Sequence, residues 1–269
     1  MHIMPGSKKA LLQLSDGTII NLIQKDVIKI SEDDGTNIET QHEALQYKPA
    51  KGKSSRALRN SLTIPHGGEY SIVLSDGTVV HLNAMSKLKF TTHYSMNSRV
   101  VELEGEAYFD VKKNGSPFII KTQGVQIRVL GTSFNVCAYK GKPVQTTLVR
   151  GSIEISTPME TTLLKPSQQA TIDLKDKKIE IKSIDAVSAT SWNTGRLYFK
   201  DERLQDIMTV LSRWYNINVS YEDKDIKDIC FGCFVDRYKE IAPFLKLLEN
   251  TGKVRVVQRG NNIRLYSCN

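Results

Sequence analysis

Leu12-Gln13-Leu14-Ser15-Asp16-Gly17-Thr18-Ile19-Ile20-Asn21-Leu22 and Ile72-Val73-Leu74-Ser75-Asp76-Gly77-Thr78-Val79-Val80-His81-Leu82 are one pattern written twice, 60 residues apart. Asp-Gly between two apolar, alternating runs is a strong short hairpin signal, and it predicts a two-residue type I′ turn at each copy. Around these hairpins, period-2 or wholly apolar runs recur between Gly, Asn, Asp or Ser. They include Val100–Leu103, Ala107–Val111, Phe118–Thr122, Val125–Leu130, Phe134–Tyr139, Thr146–Val149, Ile153–Ile155, Ala170–Leu174 and Ile179–Ile184. No long helical period interrupts them up to about residue 190. The chain to that point therefore reads as mainly β, an all-β sandwich or jelly-roll-like domain. Residues 23–62 have the poorest pattern and read as an irregular connection with one strand near Val27–Ser31.

The pattern changes after residue 190. Arg196–Phe199 reads as a strand, and Leu204, Ile207, Met208 and Leu211 have helical spacing, with Asp201 or a neighbour as a cap and Asn216 as a left-handed stop. Ile217–Tyr221 and Ile229–Val235 read as strands. A second helix over about Ile241–Asn250 buries Phe244, Leu245, Leu247 and Leu248, and a final hairpin runs from Val254 to Tyr266. The order β-α-β-β-α-β-β describes a small α+β domain, with two helices on a mostly antiparallel sheet. The predicted divisions are 8–62 for the first hairpin and its connection, 63–190 for the β domain and 191–269 for the α+β domain. Residues 1–7 read as a cloning remnant, so the whole reads as an excised part of something longer.

Composition narrows the function classes. The chain has 269 residues, 40% hydrophobic and 25% charged, which is a globular balance and excludes a disordered or fibrous chain. No apolar run approaches the roughly 18–20 residues of a membrane helix. The net charge of +8 is spread along the chain. One acid-free basic stretch, Lys48, Lys51, Lys53, Arg56 and Arg59, is mixed with Pro and Ser and carries no aromatics, so it reads as a solvated loop and not as a nucleic-acid platform.

Motifs for chemistry are sparse. Cys230-Phe231-Gly232-Cys233 has metal-type spacing, but a tetrahedral zinc site needs a second ligand pair, and none follows. Its residues also lie in a strand, where positions three apart face opposite sides. Cys137 and Cys268 complete the four cysteines, too few for a disulfide scaffold. The five histidines are isolated, with His81 and His93 the pair best placed to meet. Glu102, Glu104 and Glu106 share one strand face, which reads as solvated. No nucleophile elbow, phosphate loop or metalloprotease helix occurs. The residues call for no catalytic, cofactor-binding or metal site, and the chain reads as a non-enzyme.

Ordered motifs carry a family resemblance. Thr63-Ile64-Pro65-His66-Gly67-Gly68-Glu69-Tyr70, Leu74 through Ser86, Arg99 through Val111, Pro117–Ile120, Val129 through Val136, Thr147 through Ser152 and Leu164 through Ala170 resemble the FecR-type anti-sigma factor domain. Residues 192–269, with Trp192, Phe199, Arg213-Trp214-Tyr215 and Phe231-Gly232, resemble the C-terminal domain of its Bacteroidetes branch. That domain is similar to the N-terminal signalling module of secretins and TonB receptors. The resemblance implies the periplasmic part of a single-pass inner-membrane regulator. Such a regulator senses the signalling domain of a TonB-dependent outer-membrane transporter and holds an extracytoplasmic-function sigma factor through a cytoplasmic segment that this sequence does not contain. It implies no nucleic-acid contact, and a membrane contact only through the missing helix. Strand addition at a sheet edge of the α+β domain is the binding mode available to such a partner, and Trp214, Tyr215, Tyr238 and Phe244 are the aromatics read as its anchors. The other reading is a carbohydrate-binding β-sandwich module, which requires exposed aromatics together on one sheet face.

Overall fold

The computed structural model describes residues 2–23, 27–41, 43–49, 56–94, 97 and 99–268. Its contacts divide the chain into two units, a β unit of Lys8–Pro65 and Glu69–Thr190, and a C-terminal unit of Ser191 onward that also holds residues 2–7 and His66–Gly68.

Two sheets share one strand in the β unit. The first runs in the order Ile19–Ile23, Ser7–Gln13, Arg59–Thr63, Lys87–Thr91, the first half of Arg99–Asp110, Phe118–Thr122, Val125–Val129, Ile153–Ser156 and Thr161–Leu164. The second runs Lys29–Ser31, Asn37–Gln41, Ala44–Lys48, Gly68–Val73, Val79–Leu82, the second half of Arg99–Asp110, Ser133–Ala138, Val144–Arg150, Gln168–Ile172 and Ile179–Ser183. The sequence reading split the shared strand at Gly105, but it continues through that residue. Its neighbours change there from Lys87–Lys89 to Gln145-facing Ser133–Ala138 and to Val79–Leu82. Gly105 has φ +94°, and a Cβ there would lie 2.5 Å from Ser86 Oγ and 2.8 Å from Met85 O. Only glycine permits both the positive φ and the close approach. Ser86 Oγ donates to Glu106 O at 3.0 Å and accepts from Glu106 N at 2.8 Å, which fixes the crossing.

The sheets bury alternating apolar residues. Phe109 stacks on Phe134 at 5.3 Å and meets Phe118 of the other sheet at 6.2 Å, and all three are fully buried. Each such ring contributes about 1.5–3 kcal/mol by leaving water. The described residues between 23 and 62 are far more regular than their sequence suggests. Ile38, Leu45, Tyr47 and Leu62 are buried on strands that extend both sheets. Short strands with polar neighbours carry too few alternations to be read from periodicity.

The turns also differ from the expected type. In the two repeats, Gly17 N donates to Leu14 O and Leu14 N to Thr18 O, and the Gly77 turn makes the same bonds. Only the glycine in each has positive φ, so these are three-residue loops ending in a left-handed glycine, not type I′ turns. A third copy is hidden at Glu32-Asp33-Asp34-Gly35-Thr36, where Glu32 N donates to Thr36 O and Gly35 N to Glu32 O. In all three, the aspartate accepts from the threonine backbone N–H two residues on, at 2.8–3.0 Å.

In the C-terminal unit the element order is the expected one, but there is no single antiparallel sheet. Arg196–Arg203 pairs with Cys230–Asp236 as a two-stranded ribbon. Asn218–Tyr221, Asn262–Ser267 and Val254–Arg259 form a second sheet, whose first pair is parallel. The helices are Leu204–Tyr215 and Ala242–Asn250. Asn216 ends the first in the left-handed region at φ 51°. Asp201 does not cap it. Asp201 sits at φ 55° in a bulge of the ribbon, and Arg203 occupies the cap position. Leu247 is 49% exposed, on the side of the second helix opposite the buried Phe244, Leu245 and Leu248.

Candidate functional site: the C-terminal unit

Leu204, Ile207, Met208, Leu211, Trp214 and Tyr215 recur at three- and four-residue spacing and are buried, so the first helix turns one apolar face inward. Its last turn meets a buried cation. Arg237, 1% exposed, places its guanidinium 3.7 Å from the Trp214 ring centre and 5.5 Å from that of Trp192. It donates to Trp192 O at 2.9 Å, and the Trp214 indole N–H donates to the Arg237 carbonyl. A desolvated guanidinium over tryptophan is worth about 2 kcal/mol. Tyr215 Oη donates to Lys239 O at 2.8 Å. Burial, with the nearby charge of Asp236, pushes its phenol up to about 12.

Trp214, Tyr215 and Phe244, three of the four anchors read from sequence, are thus packed inside the unit at 5% exposure or less. Tyr238 alone of the four faces solvent, at 51%, with its ring edge-on to Trp214 at 6.0 Å. The other open aromatics lie on the ribbon. Tyr198 and Phe234 are directly opposite each other, 48% and 51% exposed, with ring centres 5.1 Å apart. Their alternation in Leu197-Tyr198-Phe199 and Cys233-Phe234-Val235 was the signal available for them. Nothing in sequence marked Arg237 as buried.

Two earlier pieces of chain end on the same helix terminus. Gly67 N donates to Arg213 O at 2.8 Å, and Ser7 N donates to Gly67 O at 2.9 Å. Gly6 lies flat on Trp214, where a Cβ would come within 2.7 Å of the ring. Ile3 is 4% exposed, and His2 Nδ1 meets a Glu240 carboxylate oxygen at 2.8 Å, so residues 2–7, expected to be a cloning remnant, pack within this unit.

The sequence-flagged polar residues of the β unit do not assemble. His81 bonds Ser71 Oγ at 2.8 Å, and burial lowers its pKa. His93 is 3.3 Å from Asp34. The crossing at Gly105 separates Glu102, paired with Arg59 and Lys89, from Glu106, which accepts from Asn83 and Asn135. Cys230 and Cys233 lie on opposite sides of their strand, and burial pushes the Cys233 thiol up to about 11. Among the described residues no group of three or more His, Cys, Asp or Glu could hold a metal ion. One concavity of the β unit, about 500 Å³, is an open groove lined by Lys87, Lys89, Lys121, Glu102 and Glu104. Of the basic stretch, Lys48 pairs with Glu39 and Arg59 with Glu102, while Lys51 and Lys53 lie outside the described residues.

The C-terminal unit is therefore a small compact body that includes residues 2–7 and 66–68 and presents an exposed aromatic pair, an arrangement suited to binding. Residues 60–154 match the FecR protein family and residues 196–265 its C-terminal domain family. Two crystal structures of a candidate anti-sigma factor from Parabacteroides distasonis, at 1.65 and 2.50 Å, are 30% and 31% identical to the chain. They cover 78% and 79% of it over 99% and 100% of their own length, each with a TM-score of 0.71. The chain belongs to the FecR family of anti-sigma regulators. No curated protein matches it. The family is a regulatory one. The C-terminal match of this FecR-family chain contains the ribbon, both helices and Arg237. The family's members are membrane-anchored, and no helix among the described residues is long and apolar enough to cross a membrane.

Proposed function

We propose that this chain is the periplasmic portion of its regulator. In this reading it receives a signal from the signalling domain of a TonB-dependent outer-membrane receptor and relays it toward an extracytoplasmic-function sigma factor bound elsewhere in the full protein. The observation that carries the reading is the grip of the C-terminal unit on residues 2–7. A partner that binds this unit and shifts Trp214 acts directly on Gly6, which lies on its ring near the N-terminal side of the β unit's first strand. Relay then needs only a difference in partner affinity between two arrangements of this grip. The carbohydrate-binding reading lacks support from the β unit, since none of its exposed large apolar side chains among the described residues is aromatic.

The test is calorimetric titration of the full chain with the periplasmic signalling domain of the receptor encoded beside it. Saturable 1:1 binding, weakened by Tyr238→Ala, is the expected result. Absence of heat over the accessible concentration range overturns the proposal.

A further inference from the structure

The four edge strands of the C-terminal unit are not defended alike. Natural sheets blunt their edges with short length, charge or bulges, because unpaired N–H and C=O groups template further strands. Asn218–Tyr221 is short and polar, and Val254–Arg259 carries Arg255 and Arg259. Arg196–Arg203 is broken by the bulge between Phe199 and Glu202 and carries Lys200, Asp201, Glu202 and Arg203. Cys230-Phe231-Gly232-Cys233-Phe234-Val235 has no charge, no proline and no bulge, and its outer edge pairs with no other strand among the described residues.

Gly232 sharpens the contrast. A glycine inside a strand weakens it unless another backbone or ring comes close. Here φ is ordinary, and a Cβ would find only Phe199 O, at 3.9 Å. The chain's own packing does not require this glycine.

We propose that this edge pairs antiparallel with the same edge of a second copy of the chain, about a two-fold axis through Gly232. The proposal goes beyond the relay reading and does not rest on it. In that register Gly232 faces Gly232, Cys230 faces Phe234, and Phe231 faces Cys233, so each large ring meets a small side chain. The Phe234 ring, 51% exposed on one copy, lies across the partner's glycine, the packing that stabilises glycines in sheets. Faces match as well. The even positions carry the outer face, so the two Tyr198–Phe234 pairs join into one aromatic strip. The flanking Asp228 meets Asp236 of the second copy, but Arg203 lies 3.5 Å from Asp228 and Lys239 3.8 Å from Asp236. One added strand pair sits at the small end of interface sizes, below about 1,200 Å², which points to a weak, concentration-driven dimer.

Sedimentation of the full chain over about 1–500 µM, a range suited to such a small interface, reads the association directly. The average mass should climb from one copy toward two across it. Phe234→Lys should weaken the association at least tenfold. It should move the tryptophan-monitored unfolding curve only slightly, because the Phe234 ring is half exposed and its aromatic contact is the equally exposed Tyr198. A second variant reads the register. In a Cys230→Ser/Cys233→Ser background, Gly232→Cys should form an intermolecular disulfide with diamide as oxidant, since residues paired across a two-fold have Cα atoms close enough to bridge. Tyr198→Cys in the same background should not. A chain that stays monomeric throughout overturns the proposal and leaves the edge to a foreign strand. A dimer that survives Phe234→Lys, or that does not cross-link at position 232, also overturns it.

Discussion

The duplicated hairpin contains its own control for the worth of a buried ion pair. Asp16 and Asp76 occupy the same position in the same Ser-Asp-Gly-Thr turn, and each accepts from its threonine's backbone N–H and hydroxyl. Asp76 makes one further contact, a 2.6 Å bond from Arg99, with the two side chains 5% and 1% exposed. Arg99 also donates to Lys112 O and Ser116 O at 2.7 and 2.6 Å and lies over the Phe118 ring. Removing one partner of a buried pair leaves the other charge uncompensated, at a cost of about 3–5 kcal/mol. Asp76→Ala should therefore destabilise the β unit by about 4 kcal/mol, a factor of roughly 1,000 in its folding equilibrium. With a urea slope of about 2.5 kcal/mol/M for a unit of this size, its midpoint should fall by about 1.5 M. Asp16→Ala loses only exposed bonds and should move the midpoint little. Both tryptophans, Trp192 and Trp214, belong to the C-terminal unit, so far-UV circular dichroism follows mainly the sandwich while tryptophan fluorescence follows the other unit. The shift should appear in the first and not in the second. Replacing both partners, as Asp76→Asn/Arg99→Leu, should cost less than the sum of the single changes, because no lone charge remains. Equal shifts for Asp16→Ala and Asp76→Ala would refute the reasoning.

Gly105→Ala should cost about 3 kcal/mol or more, since strain at positive φ alone is about 1–3 kcal/mol and Ser86 stands 2.5 Å from the new methyl. Gly17→Ala, with φ +90° but nothing within 4 Å, should show the strain alone, and urea midpoints of the two variants separate the contributions. Burial lowers the pKa of His81, so the folded state resists a proton that the unfolded chain accepts. Stability should be complete above the unfolded value of about 6.5 and fall as pH drops below it, and thermal melts of His81→Gln should lose this slope. For Asp34, burial pulls upward, but bonds from Thr92, Thr36 and His93 outweigh it and leave its pKa below the ordinary value. Its contribution should hold above about pH 4 and vanish as pH falls through the folded value, a limb of the acid-denaturation curve that Asp34→Asn should flatten. Cys233, pushed up to about 11, should be about one part in 1,000 thiolate at pH 8, so mass spectrometry after iodoacetamide should find it labelled more slowly than an unperturbed thiol.

Much of the β fold could be read from sequence because its inner strands alternate cleanly. Phe118–Thr122 and Val125–Val129 bury every second residue, and period-2 patterning is a local signal. What escaped notice depended on distant partners. Gly105 looks like a strand break until Ser86 is placed beneath it. Asp34-Gly35-Thr36 looks like loop until its backbone bonds prove the same as those at Asp16 and Asp76. The C-terminal helices were readable for the same local reason, whereas the split of their strands into a ribbon and a partly parallel sheet is a matter of long-range pairing. At the candidate site the aromatic content was visible and its exposure was not. Trp214 and Tyr215 continue the helix's inward stripe, and Tyr198 and Phe234 become neighbours through a register that no single strand encodes.

The three Asp-Gly-Thr turns show how one local motif acquires different structural roles. Each turn closes with the same bonds, so the motif's cost of folding is met locally. What varies is the neighbour that burial supplies: Asp16 has none beyond its own threonine, Asp34 gains Thr92 and His93, and Asp76 gains Arg99. The leading segments of the two long repeats diverge in a related way. Pro5-Gly6-Ser7 and Pro65-His66-Gly67 stand at equivalent offsets before their hairpins, and both reach the Arg213-Trp214 end of one helix, linked by the Ser7–Gly67 bond. A duplicated hairpin has thus brought two lead-in segments to one point, where the C-terminal unit holds both. Gly6 is the residue on which that arrangement turns, because any larger side chain would meet Trp214 at 2.7 Å and Gly67 O at 2.8 Å. Loosening this grip by Gly6→Val should lower the tryptophan-monitored unfolding midpoint, because buried Trp214 must shift, and leave the β unit's core intact, since no buried side chain of either sandwich sheet contributes to it.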